Sequence, residues 1–150
     1  MKQFKYTQQI MLFLMFYSTS FLVIADEANR PFVEHRIVLQ ISDRDPFKQT
    51  LVLNVANNLV KHYGPDKVDI EIVAFGPGVR MLFAQNMNTA RIQSLADQGG
   101  VTFSACNNSL RHISKKMGHT PKLHPNAVKV NAGIVRIIDL ITKNYILVKP

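Results

Sequence analysis

The sequence predicts an α/β fold: a parallel sheet of five strands with helices on both faces. Three observations predict it. Short β-rich runs alternate with helix-patterned segments from residue 35 to the end. The first run, HRIVLQIS at 35–42, is continuously apolar at its centre, as a strand buried on both faces of a parallel sheet must be. The chain has 150 residues, of which 47% are hydrophobic and 19% charged, enough for one domain with a real core. Strand–helix alternation calls for parallel pairing through right-handed crossovers.

After the first strand, Asp45 is placed to cap a helix whose first position is Pro46, where a missing N–H costs nothing. Phe47, Leu51, Val55 and Leu59 recur every four residues, with Val52, Ala56 and Val60 beside them, and predict one inward stripe. Lys61 and His62 suit the last turn, and Gly64-Pro65 end it. Val68–Phe75 is the second strand. Asp69 and Glu71 alternate there with Val68, Ile70 and Ile72, which predicts one wet face in its first half. GPG at 76–78 is a tight turn, followed by one or two helical turns over Val79–Ala84. Thr89–Gln98 is a helix with Ile92 and Leu95 inward and Gly99-Gly100 as its stop. Val101–Ala105 is the third strand, and a short helix begins near Ser109. Residues 118–126 form a loop and Ala127–Val130 the fourth strand. In the last helix, Gly133–Lys143, Ile134, Ile137, Ile138 and Ile141 are expected inward, with Arg136, Asp139 and Lys143 on a polar face. Tyr145–Val148 is the fifth strand.

The start of the chain reads differently. Lys2 and Lys5 form a basic lead with no acid, and Ile10–Ala25 is mostly apolar. Val23 and Ala25 suit the small-residue positions before a signal-peptidase cut. We expect residues 1–25 to be a secretory signal, 26–33 a lead-in and 34–150 the α/β domain, exported to the periplasm or the outside. An uncleaved N-terminal anchor is the alternative; no stable membrane span is expected once the signal is removed. The formal charge of +8 becomes +6 when Lys2 and Lys5 leave. That excess is either a solvated basic surface or an attraction for an acidic protein, an anionic membrane or a small anion. Nucleic acid is not an expected partner, since no basic run is interleaved with stacking aromatics.

Cys106 is the only cysteine, so no internal disulfide exists. In an oxidising compartment a lone thiol is buried and inert, paired between chains, or reactive. Ligands in open α/β sheets bind beyond the carboxyl ends of the strands. Four segments arrive there: 42–45 (SDRD), 76–80 (GPGVR), 106–109 (CNNS) and 131–133 (NAG). Cys106 therefore lies at the functional edge, before a helix start. Exposed N–H groups and the positive helix end lower a thiol pKa there. Asn107, Asn108 and Ser109 add neutral donors, and Arg80, Arg111 and His112 are potential cationic neighbours. A buried structural cysteine fits the same residues equally well.

Other chemistries are weaker. GPG is no GxGxxG fingerprint, so no dinucleotide site is expected. Asp43 and Asp45 could act as acid and base, but capping and turn formation account for them more simply. His112, His119 and His124 with Cys106 lack metal-ligand spacing, and neither a metal nor a cofactor is expected. Ser104 and Ser109 have no nucleophile-elbow context. Asn107-Asn108-Ser109 matches a glycosylation sequon by chance.

Four segments, VLQISDRDPFKQTLVLNVANNLV, VDIEIVAFGPGVRMLF, VTFSACNNSLR and NAGIVRIIDLITKNYILVKP, together cover most of residues 34–150. In this combination the chain resembles the DsrE/DsrF family of small sulfur-handling proteins, and is most similar to its stand-alone, exported members. The resemblance implies a three-layer α/β/α fold with a five-stranded, mainly parallel sheet in flavodoxin-like layering. It also implies homo-oligomers, commonly trimers or multiples of them. In several members a cysteine after the third strand carries sulfur as a persulfide; the matching residue here is Cys106, within ACNNSL. Gly76, Gly78 and Gly133 match turns that shape the pocket and pack the oligomer. Asn107 stands where relatives often have Gly, and the relay members with dedicated partners are cytoplasmic, whereas this chain carries an export signal.

The expected function is thus a sulfur carrier that holds sulfane sulfur on Cys106 and exchanges it with a donor or acceptor protein. The alternatives are a non-catalytic oligomeric module that binds a small ligand or a protein, and a periplasmic thiol redox sensor.

Overall fold

The computed structural model describes residues 30–150. The expected signal (1–25) and residues 26–29 of the lead-in lie outside the described residues. Within the unit Phe32–Pro150 the elements are β1 (His35–Ile41), α1 (Pro46–Tyr63), β2 (Val68–Ala74), a 3₁₀ segment (Gly76–Leu82), α2 (Thr89–Gln98), β3 (Val101–Cys106), α3 (Asn107–Met117), β4 (Ala127–Val130), α4 (Gly133–Thr142) and β5 (Ile146–Val148). Among the described residues, no helix is long and apolar enough to cross a membrane.

All five strands run parallel, in the order β4-β3-β2-β1-β5. The chain steps from β1 through β4 in one direction, so right-handed crossovers put α1, α2 and α3 on one face. It then crosses to the far edge to add β5, and the reversed direction puts α4 on the other face. The result is three α/β/α layers with unequal outer layers. The larger core joins Ile37, Leu39, Ile70, Ile72 and Phe103 of the sheet to Leu53, Ile92 and Leu110 of the three helices. The smaller core holds only Val38 and Val73 against Ile137 and Leu140 of α4, flanked by Phe75 and Tyr145.

The start of α1 forms as expected. Asp45 Oδ1 accepts the Phe47 N–H at 2.9 Å, Pro46 occupies the first turn, and Gly64 ends the helix at a positive φ of 90°. Asp43 is equally local: it accepts the Asp45 N–H at 3.0 Å and pairs with Lys48. Turn and cap thus occupy both carboxylates.

Two inward assignments and one outward one need correction. In α1, Phe47 is 85% exposed and Leu51 is exposed too, whereas Val52, Leu53, Ala56 and Val60 are buried. A step of four residues advances about 40° beyond a full turn, so the row from Phe47 to Leu59 begins in solvent and only ends on the core flank. In α4, Ile137 and Leu140 face the sheet, while Ile134, Val135, Ile138 and Ile141 are 44–55% exposed. In β2, Glu71 is not on a wet face. It is 4% exposed, because α4 covers that side of the sheet.

Candidate functional site

Cys106 ends β3 and is at once the residue before α3, in extended conformation (φ −65°, ψ 114°). The helix begins at Asn107, two residues earlier than expected, so Ser109 lies inside the first turn rather than at its start. This gives the hydroxyl a specific task. Ser109 Oγ accepts the Gly76 N–H at 2.7 Å and so ties the GPG turn to the start of α3. Gly76 holds a positive φ of 52°, which favours glycine at this corner.

The start of α4 arrives from the opposite layer. A Cβ on Gly133 would stand 2.8 Å from Phe75 Cβ and 3.3 Å from Cys106 Cβ, so only glycine lets the helix end come this close. Two helix N-termini therefore converge on one sulfur. Burial pushes the Cys106 thiol up. The Ser109 hydroxyl, then the N–H groups of Ser109, Gly133 and Asn108, more than offset it and leave the pKa below the ordinary thiol value. These donors favour the charged form. Sulfur is a weak acceptor as a thiol and a good one as a thiolate. Cys106 is only 5% exposed.

The residues singled out from sequence thus divide. Cys106, Ser109, Gly76, Gly133 and the Asn108 amide come together at one point. Gly78 stands apart from the sulfur: its Cβ would lie 2.5 Å from the Ile41 carbonyl oxygen, so it serves the close passage of the 3₁₀ segment over β1. The Asn107 side chain faces the outer flank of α3. Arg111 is exposed and its guanidinium donates to Asn108 Oδ1. Arg80 is exposed and sits over the Phe83 ring, 5.9 Å from its centroid. The groups that hold the thiol down are all neutral, and neither arginine is among them. His124 is buried, with its Nδ1 accepting the Asn126 N–H at 3.2 Å, and His112 and His119 are exposed. Among the described residues no His, Cys, Asp and Glu cluster could hold a metal ion.

Sequence reasoning missed a clamp behind the site. Arg136, one turn into α4, donates from Nε to Glu71 Oε1 at 2.8 Å and from its terminal nitrogen to Oε2 at 2.7 Å. The Ser104 hydroxyl also donates to Glu71 Oε1. The Glu71 hydrogen bonds hold the Arg136 guanidinium above its usual range despite partial burial. This two-pronged pair anchors the helix whose first amide faces Cys106. The signal was present: a lone acid between Ile70 and Ile72 in a parallel strand, and a lone arginine in an otherwise apolar turn of α4. Close by, Tyr145 donates to Asp69 at 2.6 Å, and burial together with that carboxylate pushes the phenol far above its ordinary value.

No family model matches the chain, and no curated protein does. Among solved structures it is similar to a protein of unknown function, MTH1491, from Methanobacterium thermoautotrophicum, at 27% identity and a TM-score of 0.69; the match covers 78% of this chain and 100% of that one.

Proposed function

We propose that the protein is a DsrE-like carrier of sulfane sulfur, held as a persulfide on Cys106 and exported to the periplasm or the outside. The observation that supports this most is the convergence of two helix N-termini and the Ser109 hydroxyl on the one cysteine, with the thiol pKa lowered against its own burial. A persulfide anion needs the same donors that favour a thiolate. The exchange balances without an oxidant. The Cys106 thiolate attacks the terminal sulfur of a donor R–S–SH, the donor's S–S bond breaks, and R–S⁻ leaves as Cys106–S–SH forms. The reverse step passes the sulfur to an acceptor thiolate. No metal or cofactor is required. The test is intact mass after incubation with polysulfide: wild type gains about 32 Da, while Cys106→Ser gains nothing. An unmodified wild type, or an equal gain in the variant, refutes the reading.

One observation favours a second reading, a binding module in which Cys106 is only packed: the residue is 5% exposed. Alkylation separates the two. A packed thiol resists iodoacetamide until the protein unfolds; a carrier reacts while folded.

We also infer self-association through α4. Its outer stripe of Ile134, Val135, Ile138 and Ile141, with Leu147 of β5 and Val128 of β4, is a large apolar exposure for one small unit.

A further inference from the structure

A second feature lies beside the thiol and does not depend on its chemistry. No Asp or Glu occurs between Asp97 and Asp139, while that stretch carries six Lys and Arg. Five of the six are exposed; the sixth, Arg136, is bound to Glu71. The fold gathers part of this set along an open groove of about 970 Å³ on the outer flank of α3. Asn107, His112, Arg111, Lys115, His119 and Lys129 line it. Among the described residues, none of its cations is paired with a carboxylate.

The layout limits the occupant. From Asn107 to Lys115 the helix rises about 12 Å, and Lys129 on β4 and His119 on the loop after α3 also line the groove. A single small anion would engage two of these groups and leave the rest apart. An extended chain of about four residues spans the same length, and a concave groove suits a strand rather than a flat membrane. Among the described residues, no Phe, Tyr or Trp lines the groove to stack bases. We propose that this groove docks an extended acidic segment of a partner protein, delivering that partner to the Cys106 end of α3. Asn107, next to the cysteine, is the junction between groove and thiol.

The test uses the full chain and a fluorescein-labelled twelve-residue peptide of alternating Glu and Gly, read by anisotropy. Saturable binding is expected, weakening as salt rises from 50 to 300 mM. Lys115→Glu/Lys129→Glu should weaken it at least tenfold, and Lys115→Gln/Lys129→Gln by a smaller factor, with unchanged far-UV circular dichroism. Lys61→Glu, on α1 and outside the groove, should stay within twofold of wild type, as should Cys106→Ser. The proposal is overturned by absence of binding, by equal loss in Lys61→Glu, which would mean bulk charge alone, or by loss in Cys106→Ser. It is also overturned if single-stranded oligodeoxythymidylate of equal charge displaces the peptide at lower concentration, which would make the groove a nucleic-acid site. Because the Cys106→Ser result is read separately from sulfur loading, this proposal and the carrier reading fail independently.

Discussion

Ser109 makes two demands on one hydroxyl. Its oxygen takes the Gly76 N–H, which leaves its hydrogen to turn toward Cys106. Ser109→Ala removes the strongest stabilising donor to the thiolate and leaves the Gly76 amide without its partner. A hydrogen bond to a charged acceptor is worth about 1.5–3 kcal/mol, and the lower thiolate fraction is partly offset by higher intrinsic nucleophilicity. Alkylation by iodoacetamide at neutral pH should therefore slow by roughly three- to tenfold in Ser109→Ala and recover in Ser109→Thr. If Ser109→Ala reacts as fast as wild type, the hydroxyl does not control the thiol. The same lowered pKa has a stability signature. The folded value lies below the unfolded one, so between the two the unfolded chain binds more protons and stability rises with pH. The contribution is complete above the unfolded thiol value, about 8.5, and is lost as pH falls through the folded value. The urea-midpoint advantage of wild type over Cys106→Ser should accordingly widen on raising the pH toward 9. A constant gap would mean that the fold does not favour the thiolate.

At the scale of elements, the position of α4 decides whether Gly133 faces the sulfur, and the Glu71–Arg136 pair decides the position of α4. Removing one partner of a buried pair costs about 3–5 kcal/mol, because the other stays buried alone. Arg136 is about a third exposed, so solvent screening brings the cost below that range. Arg136→Met should cost about 2–3 kcal/mol in urea unfolding, and Glu71→Leu/Arg136→Met should recover much of it. Both variants should alkylate more slowly at Cys106, since neither fixes the first turn of α4. Normal alkylation in both would reduce the pair to a purely structural contact. These two residues also show where sequence reading stopped. The strands were legible because Ile37–Leu39 and the runs around Ile70 and Phe103 are apolar on the faces a parallel sheet buries. The start of α1 was legible because Asp45 and Pro46 act locally. Glu71 was misread because alternation with Ile70 and Ile72 looks the same whether the polar side meets water or a half-buried arginine 65 positions away. Cys106 could be placed at the strand end by counting, but the contribution of Gly133 depends on a crossover that no local pattern encodes.

For the whole molecule, the topology leaves an imbalance. Among the described residues, three helices cover one sheet face and α4 alone covers the other, so α4 lacks an outer layer there for Ile134, Val135, Ile138 and Ile141. An amphipathic helix normally turns such residues inward; here the sheet already takes Ile137 and Leu140, and the remaining apolar side needs another surface. A second copy is the occupant we infer, with the apolar residues of one α4 meeting those of the next. The excess positive charge of the chain opposes this association, so contact must come from apolar burial and not from charge. Light scattering after gel filtration should therefore show an assembly larger than one chain, unchanged or enlarged at 500 mM salt, where repulsion is screened. Ile134→Glu/Ile138→Glu places carboxylates in the middle of the contact and should give a monomer with intact secondary structure, while the peptide bound in the α3 groove is retained. A wild type that stays monomeric over a hundredfold range of concentration sinks the inference. An assembly that dissolves in salt but survives the double substitution would instead locate the contact on charged surface away from α4.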